Sequence, residues 1–233
     1  MKKVLVIYSG GMDSFTTLHK AISIGAEVHA INFNYNQKHI VEMDCAKRVC
    51  EANNIPLKIV DISCLAELAS SSALTGGCEV PKGHYEDASM KATVVANRNM
   101  VLLAMAASYA IDIGCTQLWY GAHSGDHAIY PDCRPAFVEA MQNVLKLCDY
   151  EELELVVPYL HGDKKTILLE GYGMNLDYYD TWTCYDPQKA CGPNPEGGTE
   201  SSLRDVACGE CGSCQERLEG FRDAGLIDPL EYV

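Results

Sequence analysis

The sequence predicts an α/β protein: a parallel five-stranded sheet with helices on both faces, followed by a small cysteine-rich C-terminal region. Three observations carry this prediction. Short apolar runs alternate with segments of helical spacing from Lys2 to Gly171. A stretch of small residues, SGGMDS at Ser9–Ser14, joins the first run to the first helical segment. Three cysteines stand at successive CxxC steps in CGECGSC, Cys208 to Cys214.

The elements follow in order. Lys2 to Tyr8 is a continuous apolar run, as expected for a strand buried on both faces. Asp13 to Ile24 has helical spacing, with Phe15, Leu18 and Ile22 on one side, and Gly25 stops it. Glu27 to Phe33 reads as the second strand, Ile40 to Asn53 as the second helix and Leu57 to Ile62 as the third strand. Ser63 to Arg98 is mixed in character and reads as a loop over the ligand edge of the sheet. Met100 to Gly114 is a buried helix and Gln117 to Ala122 the fourth strand. Pro135 to Cys148 is a helix with proline at a tolerated early position. Leu153 to Val157 is the fifth strand, and a further helix begins at Asp163. From Thr183 onward the composition shifts to Cys, Gly and Pro.

Composition narrows the function. The 233 residues are 48% hydrophobic and 21% charged, enough for a substantial core. A net charge of −14 opposes broad binding to phosphate backbones, so stable nucleic-acid binding is not expected. No run approaches the roughly 20 apolar residues of a membrane span. The apolar part of MKKVLVIYSGG is too short for a signal peptide, so the expected location is cytoplasmic. There disulfides are rare, and twelve cysteines imply buried thiols, metal ligands or catalysts. Cys45, Cys50, Cys64, Cys115 and Cys148 sit among apolar or helical neighbours and read as structural.

SGGMDS has the chemistry of a phosphate site. Gly10 and Gly11 let a ligand approach the main chain, and successive N–H groups at a helix N-terminus form an anion nest. Ser9 and Ser14 add hydroxyl donors. There is neither a GxxxxGK[ST] nor a GxGxxG pattern, which excludes the lysine-based NTPase loop and the dinucleotide fingerprint. The pattern resembles the SGGxDS loop of the PP-loop ATP pyrophosphatases, which cleave ATP between its α and β phosphates. That resemblance implies a place for Asp13 near Mg2+ and the phosphates.

In CGECGSC, a turn can present Cys208, Cys211 and Cys214 to one tetrahedral metal. Cys184 and Cys191 compete for the fourth position. Zinc is the reading adopted, with an iron–sulfur cluster as the alternative.

Six ordered motifs together are more specific: SGGMDS, FNYNQKHIVEMDCA, NRN, GAHSGDHAIYPDCRPAF, TWTCY and CGECGSC, spanning Ser9 to Cys214. They resemble the QueC family of 7-cyano-7-deazaguanine synthases. The resemblance implies a Rossmann-like PP-loop domain, here 1–182, and a zinc-binding C-terminal region, here 183–233. It implies a homodimer and the ligase reaction of 7-carboxy-7-deazaguanine, ATP and ammonia to the nitrile, through an adenylate and an amide. No glutamine-hydrolysing domain is present, so free ammonia is the expected nitrogen donor.

Residue roles follow from the same resemblance. Ser9, Gly10, Gly11, Asp13 and Ser14 would bind ATP phosphates, and the main chain near Ile31 and Phe33 would meet adenine. Tyr35, Gln37 and His39 would border the active site. Arg98 would hold a carboxylate or phosphate, and Lys164 would touch phosphate; both join Asp13 and Ser14 as candidate catalytic residues. Asp126, Tyr130, Asp132 and Arg134 occupy the loop after the fourth strand, beyond the strands' carboxyl ends, and would contact substrate. Cys184 matches the first metal ligand and would complete the set with Cys208, Cys211 and Cys214. Cys133 is read as a packing residue rather than a nucleophile. The sequence departs from the family pattern at Ala96, where proline is common, and in an insertion at 186–207 that reads as an ordered or semi-ordered loop and a surface for a protein partner. Stopping at the amide, or joining the activated carboxylate to another amine, possibly on a protein, is the alternative outcome on this scaffold.

Overall fold

The computed structural model describes residues 2–76, 78–193 and 201–233. Five strands form one parallel sheet: β1 (Lys3–Ile7), β2 (Glu27–Asn34), β3 (Leu57–Asp61), β4 (Gln117–Trp119) and β5 (Glu154–Val156). Their spatial order is β3-β2-β1-β4-β5. Every adjacent pair is parallel, with Val4 opposite Val28 on one side of β1 and Gln117 on the other. The order reverses direction between β1 and β4, which opens a crevice at the carboxyl ends of those two strands.

The continuous apolar run of β1 is explained by its two covered faces. Leu5 and Ile7 pack with Ile31, Phe33, Leu103, Ala106, Val138 and Met141, beneath α4 (Arg98–Asp112) and α5 (Pro135–Leu145). Val4 and Val6 point the other way, into Phe15, Leu18, Val49, Leu168 and Phe221. Those residues come from α1 (Met12–Ser23), α2 (Val41–Ala52), α6 (Lys164–Gly173) and α7 (Gly212–Ala224). The period-two side-chain alternation of a strand thus feeds two separate cores.

Apart from element ends that shift by one to three residues, the structure differs from the sequence reading in four places. β4 ends at Trp119 instead of Ala122, because residues 120–122 leave the sheet to line the crevice. The 63–98 segment carries a short helix, α3 (Cys64–Leu68), and two 3₁₀ turns, and Arg98 opens α4. The insertion is not a simple loop: β6 (Gln188–Pro193) pairs antiparallel with β7 (Ser201–Val206). Main-chain pairing builds this hairpin despite prolines and glycines that mask strand periodicity. Residues 194–200 of the insertion lie outside the described residues. Finally, CGECGSC runs directly into α7, whose polar sequence gave little periodic signal.

Among the described residues, no helix is long and apolar enough to cross a membrane.

Candidate active site and metal centre

The crevice is walled by the SGGMDS loop after β1, the segment after β4, the starts of α2 and α4, and the first turn of α7. It brings together Ser9, Gly11, Asp13, Ser14, Tyr35, Arg98, Asp126 and Lys164 from the sequence candidates. It also holds Glu42, His123 and Glu216, which sequence reasoning did not single out.

The loop is shaped by close packing. Gly10 adopts φ +106, and a Cβ there would stand 1.9 Å from the Glu42 carbonyl oxygen. Only glycine satisfies both conditions. On the opposite side, a Cβ on Gly121 would come within 3.3 Å of the Ser14 backbone, so the chain after β4 runs hard against the first turn of α1. Ser9 and Ser14 hydroxyls lie 3.0 Å apart, the Gly11 N–H donates to Ser9 Oγ at 3.2 Å, and Ser14 Oγ donates to the Gly11 carbonyl at 3.0 Å. Small donors thus converge at a helix N-terminus.

Beside them lies a charged cluster. Lys164 Nζ sits 2.7 Å from Asp13 Oδ2 and 3.1 Å from Glu216 Oε2. Burial pushes the Asp13 carboxyl up, but Lys164 and His123 outweigh it and hold the group below its ordinary range. Burial pushes the Lys164 ammonium down, and Asp13 and Glu216 together raise it above the usual lysine value. The Gly125 N–H donates to His123 Nδ1 at 3.1 Å, and His123 Nε2 lies 3.2 Å from Lys164 Nζ. His123 Nε2 also faces Asp13, Asp126 and Glu216, each at 3.7 Å. Asp13 Oδ1 is buried without a hydrogen-bond partner, an anionic oxygen suited to a hard cation.

The other half of the crevice is aromatic. Arg98 donates to Tyr35 Oη at 3.3 Å and to Asn99 Oδ1 at 3.2 Å, and its guanidinium lies 5.7 Å from the Tyr35 ring centre. Among the described residues no carboxylate pairs with it. Tyr85, Tyr120 and Tyr185 line the same space, and Tyr85 Oη donates to Asp126 at 3.0 Å.

Several sequence candidates stand behind this wall. Ile31 and Phe33 are core side chains, and the Ile31 carbonyl accepts from the Tyr8 N–H at 2.9 Å. Gln37 Oε1 accepts from the Tyr35 N–H at 2.9 Å. His39 is buried against Glu42. Tyr130 Oη bonds Thr93 Oγ1 at 2.7 Å, Asp132 accepts from the Asn99 N–H at 3.0 Å, and Arg134 donates to the His127 carbonyl at 2.8 Å. Cys133 lines the crevice, but burial pushes its thiol well up and Asn99 Nδ2 donates to the sulfur at 3.2 Å. A protonated thiol so placed matches the packing reading.

The thiols of Cys184, Cys208, Cys211 and Cys214 all lie within 4.8 Å of one another. Main-chain N–H groups of Asp186 and Cys208 donate to Cys184 Sγ, both at 3.3 Å. Those of Glu210 and Cys211 donate to Cys208 Sγ, at 3.4 and 3.3 Å. Such donors stabilise thiolates, and four sulfurs at this spacing fit a tetrahedral metal ion. The Cys191 side chain lies outside the described residues.

The parallel sheet order, with an SGGxDS loop at its reversal point, defines a PP-loop α/β protein. A chain described as a predicted subunit of tRNA methyltransferase from Methanocaldococcus jannaschii shares this fold, at a TM-score of 0.50 and 15% identity, over 98% of this chain and 91% of that one. A family model for the queuosine biosynthesis protein QueC matches residues 3–225. The chain is 51% identical over 231 residues to 7-cyano-7-deazaguanine synthase 1 of Colwellia psychrerythraea, covering 99% of each. It is 52% identical over 229 residues to the 7-cyano-7-deazaguanine synthase of Marinobacter nauticus, covering 98% of this chain and 96% of that one. The chain belongs to the QueC family.

Proposed function

We propose that the protein is a ligase that uses ATP and ammonia to convert 7-carboxy-7-deazaguanine to 7-cyano-7-deazaguanine. The observation that carries this reading is Arg98: a guanidinium without a carboxylate partner among the described residues, set in an aromatic pocket that opens onto a phosphate loop. A flat heterocycle bearing a carboxylate suits that pocket. The tyrosines offer stacking faces, Arg98 takes the carboxylate, and Asp126 accepts from a ring N–H edge.

Ser9, Gly10, Gly11 and Ser14 hold the nucleotide phosphates, and Lys164 stands ready to follow negative charge as it moves toward the departing diphosphate. Asp13 would hold Mg2+, which neutralises phosphate charge when bound. The substrate carboxylate oxygen attacks the α-phosphorus, and the bond to the diphosphate breaks. Ammonia then attacks the activated carbonyl, a proton leaves the nitrogen to solvent, and AMP leaves with the oxygen, giving the amide. A second ATP activates the amide oxygen in the same way. Loss of that oxygen with AMP, and of two protons from nitrogen, leaves the nitrile. Positioning in a crevice shielded by Trp182 and Tyr185 does most of the work.

The four cysteines would hold zinc as a closed structural site that fixes the start of α7. Incubation with 7-carboxy-7-deazaguanine, ATP and ammonium, read by mass spectrometry, tests the proposal. Nitrile with two AMP per product is expected. Amide as the sole product would move the assignment to the amide-stopping alternative, and no substrate-dependent AMP would overturn it.

A further inference from the structure

We propose that Glu42 is a nucleotide-site residue: in the free protein its carboxylate lies against the loop that a phosphate needs, and phosphate binding takes up to one proton there. The inference rests on the reading of SGGMDS as the ATP phosphate site.

Glu42 stands in the first turn of α2, with a side chain only 15% exposed. A Cβ on Gly11 would meet Glu42 Oε1 at 2.7 Å, so the carboxylate lies directly on the loop. The Ser9 hydroxyl stands 3.3 Å from the same Cβ position, so Glu42 and Ser9 crowd the Gly11 main chain together, in the crevice where an incoming phosphate oxygen would meet the loop. Its other oxygen, Oε2, is 3.4 Å from His39 Nε2. His39 supplies no positive charge near neutrality, because burial holds its pKa down to about 3. Glu42 therefore sits against the phosphate loop, and among the described residues no lysine or arginine pairs with it.

The groups around it leave Glu42 as the one whose charge changes near pH 7. Burial lifts Glu42 itself to about 7, against the lowering effects of Ser9, Arg98 and Gly11 and with the help of Asp13. Tyr8 after β1, Tyr35 after β2 and Cys45 from α2 are all pushed up by burial and stay neutral. Arg98 from α4 stays charged, and Asp13 from α1 is held low and stays ionised.

A carboxylate and a phosphate on the same loop repel each other, whereas a protonated carboxyl can donate its O–H to a phosphate oxygen. The proton comes from buffer, and no bond of the nucleotide changes. The sign follows from linkage. The complex favours protonated Glu42, so its pKa rises on binding. Affinity is then flat below the free pKa and falls by up to about tenfold per pH unit above it.

Calorimetry of α,β-methylene-ATP binding under saturating Mg2+, in buffers of different ionisation enthalpy at pH 7.5, reads the proton directly. The wild type should take up about three quarters of a proton, the share of Glu42 ionised half a pH unit above its pKa, and Glu42→Gln should take up almost none and bind independently of pH. Infrared difference spectra of the wild type should show a new protonated-carboxyl band on binding. Binding without proton uptake, or equal uptake by Glu42→Gln, overturns the inference. No binding by either protein would instead overturn the loop as the nucleotide site.

Discussion

Lys164 Nζ donates to Asp13 Oδ2 across 2.7 Å, tying the start of α6 to the first turn of α1. Glu216 holds the same ammonium from α7, at 3.1 Å. The Asp13 carboxyl is lowered in the folded protein, so it contributes stability above its unfolded pKa, and that stability is lost as pH falls through the folded value. Lys164→Met should remove this contribution and leave Asp13 and Glu216 facing each other. Breaking a buried pair typically costs about 3 kcal/mol. Urea unfolding at pH 7 and pH 3 measures it: the variant should be much weaker at pH 7, with the difference shrinking at pH 3. An unchanged midpoint at pH 7 would show that the pair contributes nothing.

Arg98 is the test of the substrate reading. Arg98→Lys keeps the charge but loses the planar fork that matches a carboxylate. We expect kcat/KM for the deazaguanine acid to fall on the order of 100-fold, about the worth of a charge-assisted bidentate contact. The KM for ATP should hardly move. Equal loss for both substrates would place the guanidinium on the phosphates instead.

Much of this was legible in the sequence because it is local. β1, the glycine loop and α1 are contiguous, and the strand and helix periods differ enough to order the sheet. The cysteine spacing likewise announced the four-thiol cluster. Glu42 and His123 lay inside quoted motifs, and each faces a motif neighbour at i−3 or i+3, His39 or Asp126. Their pairing was the available signal. Glu216 had none beyond its place two residues after Cys214, because the fold alone brings it to Lys164. Motif membership also does not separate contact residues from their scaffold: Gln37, Tyr130, Asp132 and Arg134 all hold main chain or neighbouring side chains. The hairpin and α7 were missed because Gly, Pro and Cys dilute the periodic pattern.

Zinc binding at the four-thiol cluster can be tested by replacing Cys184 and Cys191 in turn. Cys184 is buried with its sulfur in the four-thiol cluster. Metal analysis after dialysis should find one zinc per chain in wild type and Cys191→Ser, and a large loss in Cys184→Ser. Retained zinc in Cys184→Ser would exclude it as a ligand. Stripping the metal with a strong chelator should also lower Tm and raise protease sensitivity around α7, because the cluster is what fixes that helix's first turn.

Gly220 probes how α7 supports the crevice from behind. It faces α6, and a Cβ there would stand 2.5 Å from Lys164 Cγ and 3.1 Å from Lys164 Cβ. These atoms are near the main chain and cannot swing aside, so Gly220→Ala must part the two helices or twist Lys164 away from Asp13. Alanine is the better helix former by about 1 kcal/mol, which partly offsets the overpacking cost of about 1–3 kcal/mol. Tm should therefore fall only modestly, while turnover should fall at least tenfold through the displaced ammonium. A variant with normal turnover and an intact Lys164–Asp13 contact would mean the helices yield without moving the lysine.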